Sequence, residues 1–245
     1  KKVFLQHGVM GTKNMVANYG KNAPGFNTDL FLVSSQGERE MMINDFNYSP
    51  EEVVVTGLSR FDSLFQDDIK TKNQLLIIPT WREWLVRDDV FLESEYYQTY
   101  RELVYSTDLH ELAREYGFEV LFCLHPNMQK FSHFFHDAPV RVINQGEVDV
   151  QHLLKQSAMM ITDYSSVAFD FSFLNKPIIY FQFDRERFIG KRGSHLDLNN
   201  ELPGDIVFDI DEIIPVTEQY AKTNFEMKEE NKKKAAKFLK FKDQN

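Results

Sequence analysis

Three short polar clusters in this chain each follow directly on an apolar run with strand character. They are Gln6-His7-Gly8 after KKVFL, His125-Pro126-Asn127 after EVLFCL, and Asp163-Tyr164-Ser165-Ser166 after AMMIT. In an open parallel sheet the carboxyl ends of the strands are where ligands bind, because loops and helix N-termini converge there. Two histidines, and a serine pair leading into a helix, are suited to handling a phosphorylated substrate. Three such clusters at equivalent strand ends point to an active site.

The segment from Asp163 to Asp170 is the most informative. It reads as strand, tight turn and helix, and it sets two hydroxyls at a helix N-terminus, where unpaired N–H groups and a partial positive charge attract phosphate. Asp170 falls about one turn further along nearly the same face. The plainer alternative is that Ser165 or Ser166 simply caps the helix, which leaves an acidic residue inside an apolar segment unexplained. His125 precedes a proline, which holds it extended and ends the strand sharply. An imidazole with an ordinary pKa near ~6.5 suits proton transfer or contact with phosphate. His7 is followed by Gly8, Gly11 and Lys13, so the backbone can approach a ligand closely and a cation can reach an anion. The spacing is not that of a P-loop. Arg82, in Pro79-Thr80-Trp81-Arg82, offers a planar fork for phosphate, with a solvated arginine beside a core tryptophan as the alternative. Arg192, before Gly193, is a further cation for the same cleft. His133 and His136 are three apart with no acidic or cysteine partner nearby, so no metal site is expected.

Composition narrows the class. The 245 residues suffice for one large domain or two small ones, and a net charge of −9 argues against general nucleic-acid binding. The single cysteine, Cys123, excludes an internal disulfide and suits a reducing compartment. No apolar run approaches the roughly 18–20 residues that span a bilayer. The tail EMKEENKKKAAKFLKFK reads as an amphipathic basic helix, by default solvated, with contact to an anionic membrane surface as the other reading. The chain starts at Lys1 inside a strand-like run, so it reads as a piece of a longer protein.

These groups must be positioned by an α/β framework. Strands are predicted at 2–6, 30–34, 52–56, 75–79, 119–124, 140–143, 158–162, 177–183 and 206–208, several of them apolar throughout, as strands covered on both faces are. Helices are predicted at 36–46, 92–116, 149–156, 165–174, 211–222 and 226–240, with Gly117 stopping the second. The polar segment between Gly57 and Gln74 is the expected boundary. Three strands before it are too few for an independent unit, so residues 1–57 are expected to complete a larger domain.

Together these segments resemble the CDP-glycerol glycerophosphotransferase family, which primes and polymerises teichoic acids in Gram-positive bacteria. The resemblance runs over nearly the whole chain. It rests on the His7-Gly8 loop, VVVTGLSRFDSL, Pro79-Thr80-Trp81-Arg82, His125-Pro126, DYSSVAFDF followed by NKPIIYF, Arg192-Gly193, Pro203-Gly204 and the closing KFLKFKDQN, which looks like a family motif cut short. It implies a Rossmann-like parallel sheet in a GT-B-like architecture. Residues 61–245 would be the donor-binding domain for a CDP-alditol, and residues 1–60 the C-terminal part of an acceptor-side domain. The essential histidines would be His7 and His125, and the donor-phosphate residues Ser165, Ser166 and Asp170. The first loop departs from the family's Thr-Pro pattern and reads His-Gly-Val-Met-Gly.

The implied reaction moves glycerol phosphate from CDP-glycerol, or ribitol phosphate from CDP-ribitol, to a lipid-linked or polymeric acceptor and releases CMP. His7 would be the general base, and His125 would stabilise or protonate the departing phosphate. Asp170 would bind an alditol hydroxyl or orient a base. No cofactor is implied, and the expected location is cytoplasmic, at the inner face of the membrane. Two alternatives remain at this point: a GT-B glycosyltransferase or epimerase using a nucleotide sugar, and a polymer-binding domain without turnover.

Overall fold

Burial on both faces demands unbroken apolar runs, and each of the nine predicted runs forms a strand. In the computed structural model, which describes residues 1–66, 69–144 and 146–241, they are β1 (Val3–Phe4), β2 (Leu30–Val33), β3 (Val53–Val55), β4 (Gln74–Ile77), β5 (Glu119–Cys123), β6 (Arg141–Ile143), β7 (Met159–Thr162), β8 (Ile178–Phe181) and β9 (Asp205–Val207). The end of the KFLKFKDQN segment, from 242 on, lies outside the described residues, as do 67 and 68 in the boundary segment.

β1, β2 and β3 make a three-stranded sheet in that order, and the other six make a second sheet in the order β6-β5-β4-β7-β8-β9. All pairings are parallel. Counted from β4, the larger sheet has the doubly wound order 3-2-1-4-5-6, whose direction reverses between β4 and β7. Side chains alternate across it. Leu75, Ile77, Phe122, Ile161 and Phe181 enter one apolar layer, while Leu76, Ile78, Leu121, Met160 and Tyr180 enter the other. At about 1.5–3 kcal/mol for each large apolar side chain removed from water, these two layers are the main support of the sheet. The smaller sheet has its own cluster around Phe31, Val33, Met42, Phe46 and Val53.

Two helical expectations are corrected. The span 92–116 is divided into helices Asp88–Leu92, Glu95–Tyr105 and Thr107–Tyr116. Ser94 and Ser106 each restart the chain as an N-cap, their hydroxyls accepting from the N–H groups of Tyr97 and Leu109. Gly117 ends the last of these in the left-handed region, at φ 66°. Among the described residues of the tail only Glu229–Ala236 is α-helical. Beyond it Phe238 and Leu239 are buried, and the Phe238 carbonyl and the Lys240 N–H bond to Ser34 in the smaller unit.

Gly204, just before β9, has no room for a side chain. A Cβ there would lie 2.5 Å from the Ile178 carbonyl oxygen and 2.7 Å from the Tyr180 ring. Gly204→Ala should therefore lower stability by about 1–3 kcal/mol through overpacking, visible as a fall in melting temperature. An unchanged melting temperature would contradict this packing.

Candidate active site

The reversal of strand direction sets the turn after β4 beside the turn after β7, with Ile77 and Ile161 in register. The first turn carries Thr80, Trp81 and Arg82, and the second carries Asp163 to Ser166. Asp163 fastens the two together. Its Oδ1 accepts from the N–H groups of Thr80 at 2.9 Å and Tyr164 at 2.6 Å, and its Oδ2 accepts from Arg82 at 2.8 Å. Arg82 also donates to both oxygens of Asp184, at 2.7 and 3.0 Å, and to the Thr80 carbonyl at 2.7 Å. The Tyr96, Tyr164 and Phe188 rings enclose the guanidinium. Burial works against its charge, but the Asp163 and Asp184 carboxylates outweigh that and raise its pKa. This corrects the sequence expectation for Arg82. The side chain is 0% exposed and its donors are engaged, so it organises the turns and does not face a ligand.

A cleft of about 470 Å³ opens over these turns, within the ordinary range for a small-molecule site. His7, His125, Ser165, Ser166 and Arg192 all line it, together with Trp81. Both serines are half-exposed. Ser166 is the residue before the helix Val167–Phe173 and makes no side-chain cap bond. Ser165 Oγ accepts only a long bond, 3.4 Å, from the Val167 N–H. The capping alternative therefore does not consume this pair.

His125 leads into the 3₁₀ helix Pro126–Phe135, and its Nδ1 accepts from the Asn127 N–H at 3.2 Å. That bond assigns the ring proton to Nε2. Partial burial lowers the His125 pKa, with Asp163 pulling the other way, which favours a neutral ring able to donate from Nε2. The ring stacks on Trp81 with centroids 6.1 Å apart.

His7 is exposed, its ring centroid 5.5 Å from that of Phe4 and 6.3 Å from that of Tyr19. Its loop is fastened from two sides. Buried Glu38 accepts from the Met10 N–H at 2.9 Å and from the Ser34 N–H at 2.7 Å. Burial raises the Glu38 pKa, and those two bonds oppose it. Arg60 donates to the His7 carbonyl and to Asp170. At Gly8 a Cβ would come within 3.0 Å of Arg60 and 3.1 Å of the Ser166 hydroxyl, so the loop rests directly on the serine turn.

Asp170 is the second correction. It is 0% exposed and absent from the cleft lining, and it holds Arg60, which in turn holds the His7 backbone. It supports the site from beneath. Arg60 and Glu38 were missed as functional residues. Ser35-Gln36-Gly37-Glu38, a serine followed at three residues by a glutamate, was the available signal for Glu38. Among the described residues no group of three or more His, Cys, Asp or Glu side chains is placed to hold a metal ion.

The family model described as CDP-Glycerol:Poly(glycerophosphate) glycerophosphotransferase matches residues 2–245. The minor teichoic acid biosynthesis protein GgaB of Bacillus subtilis is 28% identical over 99% of this chain and 28% of its own length. The teichoic acid poly(ribitol-phosphate) polymerase of Bacillus spizizenii is 30% identical over 80% of this chain and 32% of its own. This chain therefore spans about a third or less of these relatives. Among solved structures, the wall teichoic acid polymerase TagF superposes with a TM-score of 0.67 at 20% identity, over 97% of this chain and 63% of that one. The likeness establishes the fold, α/β with parallel sheets and GT-B-like.

Burial pushes the Asp170 carboxyl up to about 6, with Arg60 acting against the rise. Its folded-state pKa thus lies above the ordinary 3.8, so its contribution to stability is full below that value and is lost as pH rises through about 6. Asp170→Asn lacks this dependence. Its melting temperature should gain on that of the parent between pH 4 and 7, by an amount equivalent to about 1–3 kcal/mol. Parallel melting curves across that range would refute the burial argument.

Proposed function

The chain belongs to the CDP-glycerol:poly(glycerophosphate) glycerophosphotransferase family, and from that premise we propose that it transfers glycerol phosphate from CDP-glycerol to an acceptor hydroxyl in the synthesis of teichoic acid or a related cell-surface polymer. The observation that carries the reading is the meeting of His7, His125 and the Ser165-Ser166 turn, from three separate segments, around one cleft.

In this mechanism the acceptor hydroxyl attacks the β-phosphorus of the donor. A new P–O bond forms there as the bond to the bridging oxygen breaks, and CMP leaves with the electron pair. His7 takes the hydroxyl proton, an effect typically worth ~10²–10⁴ in rate. Ser165 and Ser166 hold the pyrophosphate, because phosphoryl transfer depends on positioning and charge stabilisation more than on covalent chemistry. His125 donates from Nε2 to a phosphate oxygen, and Arg192 adds positive charge at the rim. No cofactor enters the scheme. CDP-ribitol is the alternative donor, since a relative named as a poly(ribitol-phosphate) polymerase is 30% identical over 80% of this chain. The acceptor is a polymer or a lipid-linked primer, and the reaction runs at the cytoplasmic face of the membrane. There, Lys233, Lys234 and Lys237, on and just after the Glu229–Ala236 helix, supply a peripheral contact to anionic lipid.

With radiolabelled CDP-glycerol and a glycerol phosphate oligomer, His7→Ala should reduce turnover by about 10²-fold or more and leave donor affinity within a few fold, because a base acts chiefly in the transition state. His125→Ala should impair both quantities. Full turnover in His7→Ala ends the mechanism, and equal loss of donor affinity in both variants removes the acceptor-side role of His7. For the membrane contact, cosedimentation with phosphatidylglycerol vesicles should fall steeply between about 0.1 and 0.5 M salt as charges are screened. Absence of binding at low salt rules it out.

A further inference from the structure

Two cations reach the cleft from opposite units, Lys13 from the loop after β1 and Arg192 from the turn after the helix Arg185–Ile189. The Lys13 ammonium lies 4.7 Å from the centroid of the Phe188 ring. Partial burial lowers its pKa, Glu83 opposes that, and Arg192 and Arg82 lower it further. Among the described residues lining the cleft Glu83 is the sole carboxylate, and its Oε1 is 4.0 Å from Arg192. Glu83 thus draws Lys13 more strongly than Arg192 repels it, and Arg192 itself is more than half exposed.

A set of contacts between the two units holds the Lys13 loop against the Arg192 turn. The Asn14 N–H donates to the Gly193 carbonyl at 2.9 Å, and the His195 N–H to the Gly11 carbonyl at 2.9 Å. The Ser194 hydroxyl donates to the same Gly11 oxygen at 3.0 Å. Leu196 occupies the space a Cβ on Gly11 would need, at 2.8 Å, and Gly11 has φ 138°. His195 completes the set. Its Nδ1 lies 2.6 Å from Asp45 Oδ2, its ring is 4.9 Å from the Phe46 ring, and its side chain is 5% exposed. Its buried Nε2 has no hydrogen-bond partner, so the bond to Asp45 is what orients the ring.

We propose that Lys13 and Arg192 form a divided site for one phosphate group of a bound substrate, and that His195, through Asp45, is the positioning residue that keeps the two cations facing each other. An anion bound there takes the place of Glu83 beside the two cations. The identity of the phosphate, on the donor or on the acceptor, rests on the transferase reading. The existence of the site does not.

Calorimetric titration with inorganic pyrophosphate, CDP-glycerol and a short glycerol phosphate oligomer separates these points. Lys13→Met and Arg192→Met should each weaken at least one probe about tenfold, the scale of a charge-assisted hydrogen bond. His195→Leu should do the same in the parent but add less than about twofold in the Lys13→Met background, since residues acting through one another are not additive. His195→Asn, whose amide nitrogen takes the place of Nδ1, should retain affinity. Asp45→Asn offers the same test should His195→Leu fail to fold. Loss confined to CDP-glycerol and pyrophosphate assigns the site to the donor, and loss confined to the oligomer assigns it to the acceptor. Pyrophosphate binding that depends on Lys13, without any CDP-glycerol binding, upholds the site and ends the donor reading. All three probes bound within about twofold by Lys13→Met, or fully multiplicative losses in the double variant, overturn the proposal.

Discussion

A guanidinium sealed from water between two carboxylates is the constraint on which the site depends. Arg82 joins Asp163 after β7 to Asp184 after β8, while the Thr80 and Tyr164 N–H groups close on Asp163. Three strand ends are thereby fixed relative to one another. Such a network is a poor source of net stability, since desolvating three charges offsets most of their attraction. Its value is geometric. Removing one partner strands a buried charge, at about 3–5 kcal/mol, so the turns carrying Trp81 and Ser165 have few other arrangements open to them.

The second constraint is the seam between units. Gly8 lies against Ser166 because neither has bulk to spare there, and Arg60 reaches from the connecting segment to the His7 carbonyl and to Asp170. A polar stretch that reads as a linker therefore carries one of the site's structural ties. Phe61 and Leu64, in the same stretch, are buried in the larger unit's core. The serine turn and the His7 loop are held in one frame by contacts between nearest neighbours.

Local physics was legible in the sequence, and distant partnership was not. All nine strands followed from apolar runs, and β4, β7 and β8, covered on both faces, are buried throughout. Which strand ends hold His7, His125 and the serines followed in turn. Arg82 and Asp170 were misread for a common reason. Each stands at a strand end or helix start where ligand contact is a fair expectation, but its partner is far along the chain, 102 residues for Arg82 to Asp184 and 110 for Arg60 to Asp170. No local pattern reports such a pairing. The division of the 92–116 span was readable in principle, since Ser94 and Ser106 are good caps, but the continuous apolar stripe masked them.

The stacking of His125 on Trp81 has a spectroscopic consequence. The chain contains two tryptophans, Trp81 and Trp84, and both line the cleft. Intrinsic indole emission therefore arises entirely at the site, with no background from the core. Imidazolium quenches a stacked indole more strongly than neutral imidazole does, so the ionisation state of His125 is written into the emission intensity. The protein carries its own optical reporter of occupancy, without a dye or a label.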